Sequence, residues 1–488
     1  MMRPSLLMIA GLLGMLAFAQ DPPAPLPESN PETAPASDSK PASRPRRRRN
    51  AESTSSQAKA ESRPTDSPFT AIVDATIWPV SAPVIRRGTI LIFEGKILDV
   101  GRDIPIPEGA KIIDGKGKHL SPGFIAMRAL QTFGGGFMAR GDESAADQAD
   151  PYNIRMQMAL ASGITTAMEG GSPTPTGTLA GFIGKHTYGS IDGLGIRDRA
   201  VLWVQYGTTE PLRSPFGGDP IAPAAPSDQS GKQQTRDLLK RAVEFRKARA
   251  AFVADPAKAG KAPTADENTM NFVKALDGEV PVFVRASTRT ELADVARLSE
   301  EFNLPITVTD ATEAWASLPD LARGRLTFML NPRQRPADGA EPRNRLLTEP
   351  SGWRPYNAAS LEKAGYTFAV QPLSPTISTD GLPGRDLMAL PIEACYAIRG
   401  GASDAAGLAS ITLNPARLLK IDDRVGSLDI GKDADILVMD REPLDYRSFA
   451  EIVLVNGRVV YEKDKSSFFN HIPTDRSTPL KGNWWRDR

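Results

Sequence analysis

Apolar and polar positions alternate in three different ways along this chain, and the changes mark its parts. Thr70-Ala-Ile-Val-Asp-Ala-Thr-Ile77 and Gly88-Thr-Ile-Leu-Ile-Phe93 are β-branched runs, and Glu94-Gly95 turns the chain into Lys96-Ile-Leu-Asp-Val100. Lys111-Ile-Ile-Asp114 predicts one more short strand. The same pattern returns near the far end. Asp435-Ile-Leu-Val-Met439 and Ile452-Val-Leu-Val455 predict strands, and Asn456-Gly457 predicts a tight hairpin into Arg458-Val-Val-Tyr461. Between these ends, short apolar runs alternate with helical periods. The runs are Phe124-Ile125, Thr165–Met168, Ala200–Val204, Val282–Val284, Ile306–Thr309, Leu326–Met329 and Tyr366–Val370. Continuous apolar runs of this length suit parallel strands buried on both faces. Thr290–Glu301 places Leu292, Val295 and Leu298 at helical spacing, and Thr235–Phe252 predicts a basic helix with a solvated charged face. The economical architecture is α/β: a TIM-like (β/α)8 barrel over 123–423, and a small composite β-sandwich built from 68–122 and 424–463.

The outer segments read differently. Residues 1–19 carry Arg3, an apolar stretch from Leu6 to Phe18 and the small-x-small triplet Ala17-Phe-Ala19, which predicts a signal peptide and export. That stretch is shorter than the roughly 20 residues a membrane span needs. Residues 20–67 are rich in Pro, Ala, Ser and charge and hold almost no large apolar side chains, so they predict a disordered linker. Its run Arg44-Pro-Arg-Arg-Arg-Arg49 is a solvated basic segment or one drawn to an anionic envelope surface. Residues 464–488 form a C-terminal tail. Pro/Gly-rich stretches at 208–232 and 331–356 predict loops over the barrel mouth.

Composition narrows the chemistry. The chain has 488 residues and a formal net charge of +1, so no global field recruits nucleic acid or a membrane surface. One cysteine, Cys395, precludes an internal disulfide and reads as a small apolar residue within a helix. There are three histidines. His119 falls at the sandwich edge, His186 at a loop or strand end, and His471 in the tail. No Gly-x-Ser-x-Gly elbow is present, and the glycine runs lack a phosphate-loop Lys-Ser/Thr.

The stretch Ser121-Pro-Gly-Phe-Ile-Ala-Met-Arg-Ala-Leu130 resembles the first barrel strand of the amidohydrolase superfamily, imidazolonepropionase-like members included. There Pro-Gly-Phe-Ile-Asp-x-His-x-His opens a metal site. Two flanking segments carry the resemblance further: Arg87–Gly101, similar to the family's opening hairpin, and Thr412–Leu419 with Gly426–Leu437, similar to its closing signature. The resemblance implies a barrel whose strand ends hold zinc or another divalent metal on histidine and carboxylate ligands. Such a metal lowers the pKa of bound water from about 15.7 towards 7. Position by position the implied ligands are missing. Arg128 and Leu130 replace the two histidines of the first strand, and Arg285 replaces that of the fifth. Asp310 stands near the histidine position of the sixth. Leu373 or a neighbour falls where the catalytic aspartate belongs, and Asp380 lies too far past the strand. An arginine cannot ligate metal in its charged form.

This leaves an exported protein with a degenerate, metal-free site, acting as a ligand-binding or structural module without a cofactor. The alternative is an active hydrolase of C–N bonds, of cyclic amide or dipeptide type, with a rearranged site. The candidate pocket is Arg128, Glu169, Arg285 and Asp310. Two readings of it stay open. Either the arginines pair with Glu169 and Asp310 and plug the cavity, or they hold a small anionic ligand bidentately. Substrate and oligomeric state are not legible.

Overall fold

The computed structural model describes residues 67–134, 148–171, 173–174, 176–206, 228–333, 352–379 and 386–470. The predicted signal peptide, nearly all of the linker, most of both mouth loops, Asp380 and the tail from His471 onward lie outside these residues. No helix among the described residues is long and apolar enough to cross a membrane.

Both ends of the described chain contribute to one eight-stranded sheet. The N-terminal part supplies β1 (Phe69–Ile77), β2 (Ile85–Phe93), β3 (Lys96–Gly101), β4 (Lys111–Asp114) and β5 (His119–Pro122). The C-terminal part supplies β16 (Ile436–Met439), β17 (Ala450–Val455) and β18 (Arg458–Glu462). Their order is β18-β17-β16-β5-β1-β2-β3, with β4 on β1. The two parts meet where β5 pairs antiparallel with β16, Leu120 opposite Val438. The sheet folds over itself: Lys96 of β3 bridges back to Asp433, just before β16. Inside it Ile72, Ile77, Ile90, Ile97, Leu120, Ile436, Val438 and Leu454 pack as one core. Both predicted tight turns have left-handed backbone, with φ of 48° and 80° at Glu94-Gly95 and 49° and 72° at Asn456-Gly457. One expectation changes here. His119 lies in β5, a central strand of the sheet and not its edge. The chain pairs with β16 up to Pro122, and the next amide, Gly123 N–H, donates to the Asp435 carbonyl at 3.0 Å.

The barrel begins one residue later. Gly123 is forced by close approach, because a Cβ there would meet Thr165 Oγ1 at 1.9 Å. The next strands are β6 (Phe124–Ala129), β7 (Ile164–Glu169), β8 (Thr178–Ala180), β9 (Phe182–Lys185), β10 (Gly195–Arg197) and β11 (Val201–Val204). They are followed by β12 (Val282–Arg285), β13 (Ile306–Thr309), β14 (Leu326–Leu330) and β15 (Phe368–Val370). β6 pairs parallel with β7, and β11 to β15 form a continuous parallel arc. The arcs approach at a parallel Thr174–Val204 bridge and at a seam where Leu130 bridges Thr376. β8, β9 and β10 are short antiparallel additions that the apolar pattern did not predict.

Side chains alternate across this wall. Ile125, Met127, Met168, Trp203, Phe283, Met329 and Ala369 fill the barrel, with Leu418, Leu419, Ile421 and Val425 in the same cluster. The intervening Ala126, Ala167, Leu202, Val284, Val308, Phe328 and Phe368 meet the surrounding helices. Burial on both faces is why these strands read as continuous apolar runs. The helix Arg289–Phe302 starts with a capping box between Thr288 and Glu291 and buries Leu292, Val295 and Leu298.

Candidate functional site

In a parallel barrel, the C-terminal strand ends form the mouth. Here those ends present Arg128 on β6, Glu169 on β7, Arg285 on β12, Asp310 just after β13, Asn331 just after β14 and Gln371 just after β15.

Arg285 and Asp310 are brought together. The guanidinium Nε lies 2.9 Å from Asp310 Oδ2, and Asn331 Nδ2 donates to Oδ1 at 2.7 Å. Asp310 itself has φ of 60°, a left-handed conformation that aspartate tolerates better than most residues. Both carboxylate oxygens are therefore occupied.

Glu169 is committed elsewhere. Its Oε1 accepts from the Gln131 N–H at 2.8 Å. Its Oε2 accepts from the Thr132 N–H at 2.8 Å, the Thr132 hydroxyl at 2.9 Å and the Phe133 N–H at 3.0 Å. The carboxylate organises the turn that leaves β6. Its expected pairing with Arg128 does not form. Three successive amides converge on it, and a carboxylate with four charge-assisted bonds gains little from one exposed guanidinium.

Arg128 is exposed, and its side chain meets no acidic group among the described residues. Its carbonyl accepts from Gln371 Nε2 at 2.8 Å, across the seam between β6 and β15. Gln371 is 1% exposed and its Oε1 has no partner among the described residues. The eighth strand thus ends in Gln371. Leu373, expected near that place, is 63% exposed and points away from the core. Gln371 and Asn331 escaped sequence reading because the register at a strand end cannot be fixed from an apolar run.

The two described histidines, His186 and His119, have partners other than the strand-end residues of the mouth. His186 is fully buried at the end of β9, its Nδ1 2.8 Å from the Ile164 carbonyl and its ring 4.8 Å from that of Phe133. Burial lowers its pKa to about 4. His119 Nδ1 accepts from Trp78 Nε1 at 3.0 Å, and burial lowers its pKa as well. Cys395 is half-buried on the helix Leu390–Arg399, with Sγ donating to the Leu444 carbonyl at 3.3 Å.

A second polar cluster joins the barrel to the sandwich. Lys185, at the end of β9, is 0% exposed. Its Nζ contacts Asp433 at 2.7 Å, Asp435 at 3.0 Å and the Asn456 side-chain oxygen at 2.7 Å. Lys96 and Arg424 also reach Asp433, at 3.0 and 2.8 Å. This cationic surround, outweighing burial, holds the Asp433 pKa down at about 2. The motif Lys432-Asp-Ala-Asp435 carried the signal: two carboxylates flank an alanine immediately before a fully apolar strand.

Would a divalent metal fit the mouth? The strand ends offer two arginines, two amides and two carboxylates. One carboxylate is saturated by backbone amides, the other by Arg285 and Asn331. Among the described residues no three His, Cys, Asp or Glu side chains converge. Zinc needs nitrogen, thiolate or free carboxylate donors, and this donor set does not fit it.

A model of the amidohydrolase family Amidohydro_3 matches residues 370–461. The amidohydrolase tasK of Hapsidospora irregularis is 23% identical over 407 residues, covering 77% of this chain and 40% of that protein. The chain thus spans two fifths of the length of that relative. Among solved structures, an amidohydrolase from Thermotoga maritima MSB8 aligns with a TM-score of 0.61 at 22% identity, covering 80% of this chain and 100% of that one. Molinate hydrolase aligns at 0.50 and 18%, covering 84% and 96%. Over about four fifths of its length the chain shares the fold of the solved Thermotoga maritima amidohydrolase, and its C-terminal segment carries the Amidohydro_3 match.

Proposed function

We propose that this chain is an exported, metal-independent member of the superfamily, and that its barrel mouth binds a ligand instead of activating water on a metal. One observation carries the reading. At the strand ends where the resemblance implies histidine ligands, the chain places Arg128 and Arg285, and the second is locked to Asp310 and Asn331. A fixed positive charge there opposes a divalent cation and favours an anion. The remaining carboxylate, Glu169, is spent on backbone amides, so it supplies neither a ligand nor a free general base. Export rests on the residues 1–19 pattern alone.

The test is metal content together with stability. Protein purified without chelators should carry well under one equivalent of zinc, manganese, iron or nickel. Added zinc should not raise its melting temperature. Stoichiometric metal that survives dialysis, with hydrolysis of a C–N bond lost on chelation, would overturn the reading in favour of an active hydrolase with a rearranged site.

A further inference from the structure

Among the four charged groups at the mouth, the charges do not cancel evenly. Arg285 is matched by Asp310, with Asn331 completing the carboxylate's bonds. Glu169 is matched by three backbone N–H groups and a hydroxyl. One group stands over: the exposed guanidinium of Arg128. Beneath it the backbone is pinned. The Arg128 carbonyl accepts from Gln371 Nε2, and two residues on the Leu130 amide donates to the Pro375 carbonyl at 2.9 Å, so β6 is stitched to the chain after β15 at Arg128 and just beyond it. The donating side of the Gln371 amide is therefore fixed. Its oxygen is turned the other way, buried and without a partner among the described residues. A buried amide oxygen left unpaired is costly, so it marks a place where a donor belongs.

Building on the metal-independent reading, we infer that Arg128 and Gln371 form a subsite for a small monocarboxylate that also carries an N–H or O–H donor. A guanidinium with no acidic partner among the described residues matches one negative charge, and its planar fork matches the two oxygens of a carboxylate. The Gln371 oxygen takes the ligand's donor. A phosphate dianion would bring twice the charge that the site can neutralise.

The experiment uses the full chain, shown beforehand to be metal-free. Melting temperature and calorimetric binding are followed with acetate, glycolate, inorganic phosphate and chloride at matched ionic strength. Saturable stabilisation is expected with glycolate, less with acetate, and none with chloride. Arg128→Gln, at an exposed position, should fold normally and weaken glycolate binding at least tenfold, while Arg128→Lys should retain part of it. Gln371→Met should erase the advantage of glycolate over acetate. If Gln371→Met fails to fold, the Arg128 variants still decide the carboxylate half and the glycolate-to-acetate ratio decides the donor half. Equal responses to glycolate and chloride, phosphate binding tighter than glycolate, or binding unaffected by Arg128→Gln would each overturn the subsite. Those failures leave the metal analysis, and so the metal-independent reading, untouched.

Discussion

Replacing Lys185 with methionine tests what fastens the barrel to the sandwich. Methionine keeps most of the volume and removes the charge. In the native protein the Lys185 ammonium is wholly buried and touches three oxygens, on Asp433, Asp435 and Asn456. After replacement Asp433 still faces Lys96 and Arg424. Asp435 does not. It is 4% exposed and keeps only the Asn456 backbone N–H, at 2.8 Å. Stranding one member of a buried ion pair costs about 3–5 kcal/mol, far more than the pair itself contributes over an apolar replacement. Unfolding entropy of roughly 2.1 cal/mol/K per residue over the roughly 340 described residues converts this to a drop in Tm of about 4–7 °C. Urea denaturation and calorimetry read both quantities. The double variant Lys185→Met with Asp435→Asn removes the stranded charge while keeping an acceptor for the Asn456 N–H, and should recover more than half the loss. A single-variant cost below about 1 kcal/mol, or additive losses in the double variant, would refute the argument.

Four further outcomes follow from the structure. His186 has its pKa lowered to about 4 by burial, so between pH 6.5 and 4 the unfolded chain binds a proton that the folded one refuses. Stability should fall through that window by about 3 kcal/mol and level off below it; His186→Asn should flatten this decline in urea midpoints, and an unchanged slope would count against it. Asp433, held at about 2, acts in a separate range, its contribution being lost as pH falls from about 4 towards 2. Glu169→Gln removes the charge that gathers the Gln131, Thr132 and Phe133 amides, at a cost of about 1–3 kcal/mol; hydrogen exchange at those amides should accelerate, and unchanged protection would contradict the assigned bonds. Ending the chain after Arg424 removes β16 to β18 and leaves β5 an open edge over an uncovered Leu120 and Ile77; a truncated protein that melts like the full chain would contradict the shared sheet.

The sequence alone determined most of the architecture, because that information is local. Strands buried on both faces must be apolar at every position, so the parallel strands from Phe124 to Val370 stood out as runs. The turns at Glu94-Gly95 and Asn456-Gly457 were legible because left-handed backbone demands those residue types. The place of Arg128 near the end of the first barrel strand was legible once Pro122-Gly123 fixed the start of that strand. Tertiary structure alone decided the partners. Four charged residues named from the sequence allowed two neat pairs, yet only Arg285 and Asp310 meet. Glu169 instead bonds to amides that belong to residues 131–133, brought to it by the parallel pairing of β6 with β7. No pattern in the sequence singles out Lys185. It is buried because residues some 250 positions away bring Asp433 and Asp435 onto it. Charge and hydrogen-bond partners are set by distance in space, and an apolar pattern along one strand does not encode which distant carboxylate will lie within 3 Å of it.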